Sequence, residues 1–494
     1  MAGGTGTGGS VASGSGGAAS GTGGASSAGT GGAAAGGGGG GAASITDTDI
    51  VLARFNADGT PDASFGMNGI FRKDLAPNSG NTREVVWGVD RDAQDRLLIF
   101  GFAKGEGART DSDRFVMRLT ANGQLDTSFG MDAPGAGGAS GSGGAGGAPG
   151  KTGMFVINIG NVSDTARNGR VLPDGKILTA GYYPQPTGVG TQTANRVLLA
   201  RFTADGILDT SFGAGGLSSA NPFTSPSPTT QWGMAEAYGA VQQPMSGKYV
   251  TTGYGRLAPS GQVNVVSFRF DAAGAFDTSW GTNGVFEKDI AGANDRGRNL
   301  AALSDDRIVI AGSAEPAAGN VDAMVMLLSP AGALDTTFNT TGYVIKDFGR
   351  IDEAFYGVAV GANNLIAAGG YRAGAMGTND DALLFLSPAP AGMEGGKELP
   401  LSATGHDRLW AVAFDAAGQQ LYGAGFVTAG GDNSMALVKI NPTTGAIDTA
   451  FGPPGGGGVV TANASVGAAL EEARGVTVQS TGKIVIAGVA ESRD

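Results

Sequence analysis

The chain contains no cysteine and a single histidine, His406, among 494 residues. Absence of cysteine excludes disulfides, thiolate metal sites, iron–sulfur clusters and a cysteine nucleophile. With one imidazole, a metal site would rest on oxygen ligands, and a histidine-dependent triad could use only His406. Charged residues make up 15%, and their balance is acidic, with a formal net charge of −12. No stripe or run of Lys and Arg offers the counterion release on which nucleic-acid binding depends. Nucleic acid and anionic membrane surfaces are therefore not expected partners. No run of about 18 apolar residues is present, so no transmembrane helix or membrane insertion is expected. Met1 leads directly into small residues, so an export signal is expected only in a precursor, ahead of this chain.

Glycine, by contrast, is abundant, with 91 residues. Residues 2–44 and 133–150 are almost entirely Gly, Ala, Ser and Thr. Neither holds a G-X-Y period, which excludes collagen, and such composition behaves as flexible coil. Residues 1–44 are expected to form a disordered linker or stalk, and 133–150 a loop insert within a single body spanning 45–494.

That body is a repeat. One phrase occurs as PDASFG at 61–66, LDTSFG at 125–130 and 208–213, FDTSWG at 276–281, LDTTFN at 334–339 and IDTAFG at 447–452. The last interval is about two repeats long, which places a decayed copy near residue 391. Two further elements occur seven times each. One is an apolar run with a glycine: Gly101, Gly181, Gly253, Gly312, Gly369, Gly425 and Gly488. The other is an alternating run opened by Asp49, Asp113, Asn195, Asn264, Asp322, Asp381 or Asn433. Period-2 alternation and Gly/Asn turns identify these elements as strands. Further strands after the FG turn (GIFRKDL) and before the glycine run (REVVWGVD, RLWAVAFD) bring each repeat to four. The chain begins at the second repeated element and ends just after the first. In a ring this is closure, with N-terminal strands completing the C-terminal blade. The expected fold is all-β, a seven-bladed β-propeller of four-stranded blades.

The phrase D-x-x-L-x-R-F-x-x-D-G-x-L-D-T-S-F-G, followed by D-G-K-I-x-x-A-G, resembles the delta-60 repeat, a bacterial β-propeller domain of unknown function. Residues 196–216 match best, and the resemblance covers about 46–490. It implies the propeller fold and an exported, surface-attached setting. It carries no catalytic residues.

Structural roles are expected for most repeated residues. The aromatic of the phrase (Phe65, Phe129, Phe212, Trp280, Phe338, Phe451) reads as core bulk. Its Asp reads as an Asx-turn former. The strand glycines read as blade-packing positions. The strand basic residue (Arg54, Arg118, Arg201, Arg269, Lys439) becomes Leu327 and Phe385 in two copies, which marks a packed position with a carboxylate partner where charge persists. Asp47 and Asp49 lack the Gly and Glu of a calcium loop. Glu471, Glu472, Asp352 and Glu353 align with Arg83–Glu84 and Asn294–Asp295, so they read as repeat positions. His406 beside Asp407 reads as a lone surface histidine.

The expected function is non-enzymatic: a monomeric binding or scaffold module of the bacterial exterior, with an unknown polysaccharide or protein partner, no metal and no cofactor. Tyr182, Tyr183, Tyr254, Arg256, Tyr371 and Arg372, beside the most variable loops, are the compositional hint for contact. The alternatives are an enzyme acting on carbohydrate at the channel mouth, or a structural spacer.

Overall fold

The computed structural model describes residues 47–75, 83–104, 109–132, 151–186, 193–220, 233–257, 261–374, 379–388, 396–465 and 470–491. The linker expected at 1–44 and the insert at 133–150 lie outside the described residues.

Seven antiparallel sheets of four strands each make up the described body, with one 3₁₀ turn at Ala362–Asn364. Six sheets take their strands in chain order. The seventh joins Thr48–Phe55 and Ile70–Lys73 to Glu471–Val478 and Ile484–Glu491. Its seam is in continuous register from Thr48 opposite Glu491 to Phe55 opposite Ile484. Closure therefore occurs as the sequence requires, and it removes the exposed edges an open array would leave. The blade of Asp381–Pro388 has an outer strand of only three residues, Gly396–Glu398, in keeping with the decayed copy there. Residues 389–395 lie outside the described set.

The apolar core lies between neighbouring blades. One cluster joins Ile50, Leu52 and Val485 of the closing blade to Val86, Ile99 and Phe115 of the next. Equivalent clusters recur between successive blades.

The repeated phrase forms a latch between blades, complete in the four copies that keep the arginine. Asp62 Oδ1 accepts the Ser64 N–H at 3.1 Å and its hydroxyl at 2.6 Å, closing the Asx turn. Its Oδ2 accepts Arg54 Nε at 2.7 Å and Lys483 Nζ at 2.6 Å. Arg118–Asp126, Arg201–Asp209 and Arg269–Asp277 repeat the pair at 2.8 Å. The same arginines cross to the next blade: Arg118 donates to Ala204 O at 2.6 Å, Arg201 to Ala272 O at 2.6 Å and Arg269 to Pro330 O at 2.7 Å. Phe65, Phe129, Phe212 and Trp280 each lie under their own arginine, at 4.4–4.9 Å from guanidinium to ring centre. Each also packs against the turn glycine of the following blade. A Cβ on Gly206 would stand 2.3 Å from Phe129, and Gly206 has φ +78°, so no other residue fits. Where the basic residue is lost, Leu327 and Phe385 are fully buried.

Candidate ligand site at the propeller axis

The innermost strands are Val85–Arg91, Thr165–Val171, Met234–Gln242, Arg296–Ala302, Glu353–Val360, Asp407–Phe414 and Glu471–Val478. Every one carries a β-bulge at the same place, with a single residue skipped in its register. The skipped residues are Trp87, Arg167, Tyr238, Arg298, Tyr356, Trp410 and Arg474. A bulge re-aims a side chain out of the strand's alternation. Here it turns seven large side chains toward one cavity at the axis, all of which line it.

The strand glycines make this bulge possible. A Cβ on Gly181 would lie 1.6 Å from Thr165 O, and one on Gly253 would lie 1.7 Å from Glu236 O. Gly101, Gly312, Gly425 and Gly488 meet the matching carbonyl at 1.7–1.9 Å. Two expectations are corrected. The tight contact is with the blade's own innermost strand rather than with a neighbouring blade. In the blade of Glu353–Val360 the position belongs to Gly370, 1.9 Å from Ala354 O, not to Gly369. The doubled glycine there hid a one-residue offset.

Around the axis, three cations are each flanked by aromatic rings, with Tyr356 and Trp410 adjacent. Arg167 lies 4.7 Å from the Trp87 ring and 4.9 Å from Tyr238. Arg298 lies 5.3 Å from Tyr238 and 4.9 Å from Tyr356. Tyr356 meets Trp410 edge-on at 4.7 Å. Arg474 closes the circle, 6.0 Å from Trp410 and 4.3 Å from Trp87. Such contacts stabilise each cation by about 0.5–2 kcal/mol, but ring faces accept no conventional hydrogen bonds. Arg167 donates to the Tyr182 hydroxyl at 2.7 Å and Arg474 to Glu472 at 3.1 Å. Arg298 has no hydrogen-bond acceptor among the described residues. The Nε atoms of Arg167 and Arg298 and the Nε1 atoms of Trp87 and Trp410 are buried without a partner.

The next position along each strand is small or Asn: Gly88, Asn168, Gly239, Asn299, Gly357, Ala411 and Gly475. Asn168 donates to Asn299 Oδ1 at 3.1 Å across Gly239, which puts a floor under the ring. The remaining cavity is about 30 Å³.

Two residues before the ring lies a polar mouth. Glu236 accepts Asn195 Nδ2 at 2.6 Å, and its Oε2 is unpartnered. Arg408 donates twice to Asp380, at 2.9 and 2.7 Å, and stands 3.8 Å from the Tyr371 ring. Tyr371 also donates to Asp352 at 3.2 Å. Burial, reinforced by neighbouring Glu236, Asp352 and the other tyrosines, holds the Tyr182, Tyr254 and Tyr371 hydroxyls far above their ordinary pKa. They serve as neutral hydrogen-bonding groups, not as bases.

The structure thus divides the residues flagged from the variable loops. Tyr182, Tyr254 and Tyr371 stand cross-strand from the mouth positions Thr165, Glu236 and Ala354. Tyr183 instead reaches Ser219, and Arg372 pairs with Asp381 and Glu398 away from the ring. Arg256 donates to Gly261 O. His406 Nδ1 accepts the Asp380 N–H at 3.1 Å. Glu353 and Glu471 belong to a repeated set with Glu84, Asp164, Asp295 and Asp407, all buried at the start of innermost strands. Most accept backbone N–H bonds from the preceding loop, as Glu353 does from Phe348 and Arg350. The acidic triplets Asp49–Asp74–Glu84 and Asp322–Asp347–Glu353 are two copies of that junction. Two larger rim clefts, of about 470 and 480 Å³, hold one charged lining residue, Arg72, already paired with Asp49.

The ring residues themselves were not singled out by the sequence reading. Their signal was a large side chain followed by Gly, Asn or Ala (WG, RN, YG, RN, YG, WA, RG) at one place in each repeat.

Residues 39–65, 106–129, 172–212 and 303–338 match the family described as a domain of unknown function (DUF5122) beta-propeller. No curated protein matches the chain in sequence. Solved structures are similar to this chain at low identity. The polysaccharide lyase Uly1 is 10% identical, with 91% of this chain and all of that chain covered and a TM-score of 0.40. Sqt1 from Chaetomium thermophilum is 12% identical over 83% of this chain and 96% of its own, at a TM-score of 0.35. The α-L-arabinanase of Penicillium chrysogenum, complexed with arabinobiose, is 10% identical over 65% and 91%, at 0.36.

Proposed function

We propose that this propeller is a non-catalytic binding module of the bacterial exterior, and that it engages a polysaccharide or a protein at its axial cup. One observation carries the reading. At the position where a bulge aims seven side chains at the axis, the repeat places arginine and aromatic residues, four of which (Trp87, Arg167, Arg298 and Trp410) keep a buried N–H without a partner. A fold has no need of such groups at its centre, because unsatisfied buried donors each cost about 1–3 kcal/mol. Aromatic anchors and arginines are the residues that dominate binding surfaces. The phenols at the cup are held protonated, and Asp380 is engaged by Arg408.

The test is a thermal-shift screen of the chain against glycans and peptides, since a ligand specific to the native state raises Tm by mass action. A shift that disappears in Trp410→Ala and survives in the rim variant Lys439→Gln supports axial binding. A shift indifferent to Trp410 moves the site elsewhere, and turnover of the ligand would show an enzyme. The exterior setting is tested by the upstream coding sequence: an in-frame start without an export signal counts against it.

A further inference from the structure

We infer that the group held in the axial cup is a carboxylate, presented by an acidic sugar residue of a polysaccharide. The inference rests on the axial-binding reading above and names the chemistry of the same site. The protein carries a net charge of −12, yet its axis gathers Arg167, Arg298 and Arg474 within one cavity. A guanidinium offers five N–H donors. Arg298 uses none of them on a described residue, and Arg167 is 5% exposed with an unpartnered Nε. Like charges are therefore held together and desolvated; only Arg474 has a carboxylate, Glu472 at 3.1 Å, and Arg167 and Arg298 stay short of acceptors, which an incoming anion would correct.

Size and surroundings narrow the anion. The cavity of about 30 Å³ is room for roughly two water-sized atoms, which suits the two oxygens of a carboxylate. Guanidinium pairs with carboxylate through parallel charge-assisted bonds, typically stronger than neutral ones. The mouth favours a sugar as the carrier. Glu236 Oε2 is a free acceptor, and the Tyr182, Tyr254 and Tyr371 hydroxyls stay neutral, so sugar hydroxyls find both donors and acceptors there. Four of the seven mouth positions, Glu236, Arg296, Arg408 and Glu472, are charged, which suits a polar ligand better than the apolar side chains of a peptide.

The experiment is calorimetric titration of the whole chain with oligogalacturonate and oligoglucuronate, and with their methyl esters, which mask only the carboxylate. The expected result is binding of an acidic oligomer and affinity at least about tenfold weaker for its ester, the loss that follows from removing a charged hydrogen-bond partner. Arg298→Met should weaken the acidic oligomer about tenfold or more without lowering Tm, and Arg298→Lys should recover part of it. Equal affinity for acid and ester, or binding of neither, overturns the carboxylate inference. The axial reading itself would still stand if Trp410→Ala abolishes binding of a neutral glycan or a peptide. Acid binding that is unchanged in both Arg298→Met and Trp410→Ala would sink both. The ester comparison uses the parent protein, so it holds even if a variant fails to fold.

Discussion

The latch at the rim and the ring at the axis are built from the same residue types, arginine and aromatics, to opposite effect. At the rim each arginine is saturated. Arg201 holds Asp209 at 2.8 Å, Ser211 at 3.2 Å and Ala272 O at 2.6 Å, with Phe212 beneath it. Copy after copy repeats that geometry, and the sequence phrase is its imprint. At the axis the arginines lie against rings, Arg298 has no acceptor among the described residues, Arg167 keeps an unpartnered Nε, and the residue changes from blade to blade. A saturated group that recurs in identical form serves the fold. An unsatisfied group at the position where copies diverge is free to serve a ligand.

The comparison can be broken most severely at the seam. Removing residues 48–73 deletes the two strands that complete the last blade, and the cooperative melt seen by circular dichroism should be lost. A retained cooperative transition would refute ring closure as the source of stability. Next in size is the latch. Asp209→Ala leaves Arg201 buried without its carboxylate, which costs about 3–5 kcal/mol. Urea denaturation should show it as a lowered midpoint with ligand affinity kept. Gly181→Val joins the two regions, because its side chain would collide with Thr165 O beside the bulge that aims Arg167. A loss of about 3 kcal/mol is expected from the steric conflict, together with weakened binding. Unchanged affinity would uncouple the glycine from the site.

The smallest effect is on pH dependence. Burial pushes Glu84 up to about 8, Glu353 and Glu471 to about 7 and Asp407 to about 6. These values exceed the ordinary 4.5 for Glu and 3.8 for Asp, so the native state keeps protons that the unfolded chain releases. Their contribution is complete below the ordinary values and is lost as pH rises through 6 to 8. In the latch, burial also pulls Asp62, Asp209 and Asp277 upward. Bonds from Lys483, Lys176 and Lys248 and from the phrase serines outweigh it and hold them below the usual range. Their contribution is lost as pH falls below about 4. Melting temperature should therefore peak near pH 5 and decline by a few degrees toward pH 8.5. A monotonic rise with pH would contradict the assignment of the buried acids.

The fold was legible because latch and seam leave periodic marks. The Asx-turn aspartate recurs in six of the seven copies and its arginine in four, and the strand order exposes closure. The axial site was not legible as a motif. Trp87, Arg167 and Tyr238 share a place in space, not a residue type, and a repeat search is drawn to identities. The bulge that gathers them leaves only the strand glycine, whose close carbonyl contact becomes visible in three dimensions. Tyr182 and Tyr183 show the same limit: neighbours in sequence, they face different surroundings because strand side chains alternate.

The most direct test of the account needs no ligand. It compares the melting temperature of an axial double variant, Arg167→Met with Arg298→Met, with that of a latch double variant, Asp209→Ala with Asp277→Ala. Removing crowded, unpaired buried charges should leave the axial variant at or above the parent, whereas the latch variant should melt far below it. An axial variant that melts as low as the latch variant would mean that the central arginines hold the propeller together, and the case for a ligand site at the axis would fail.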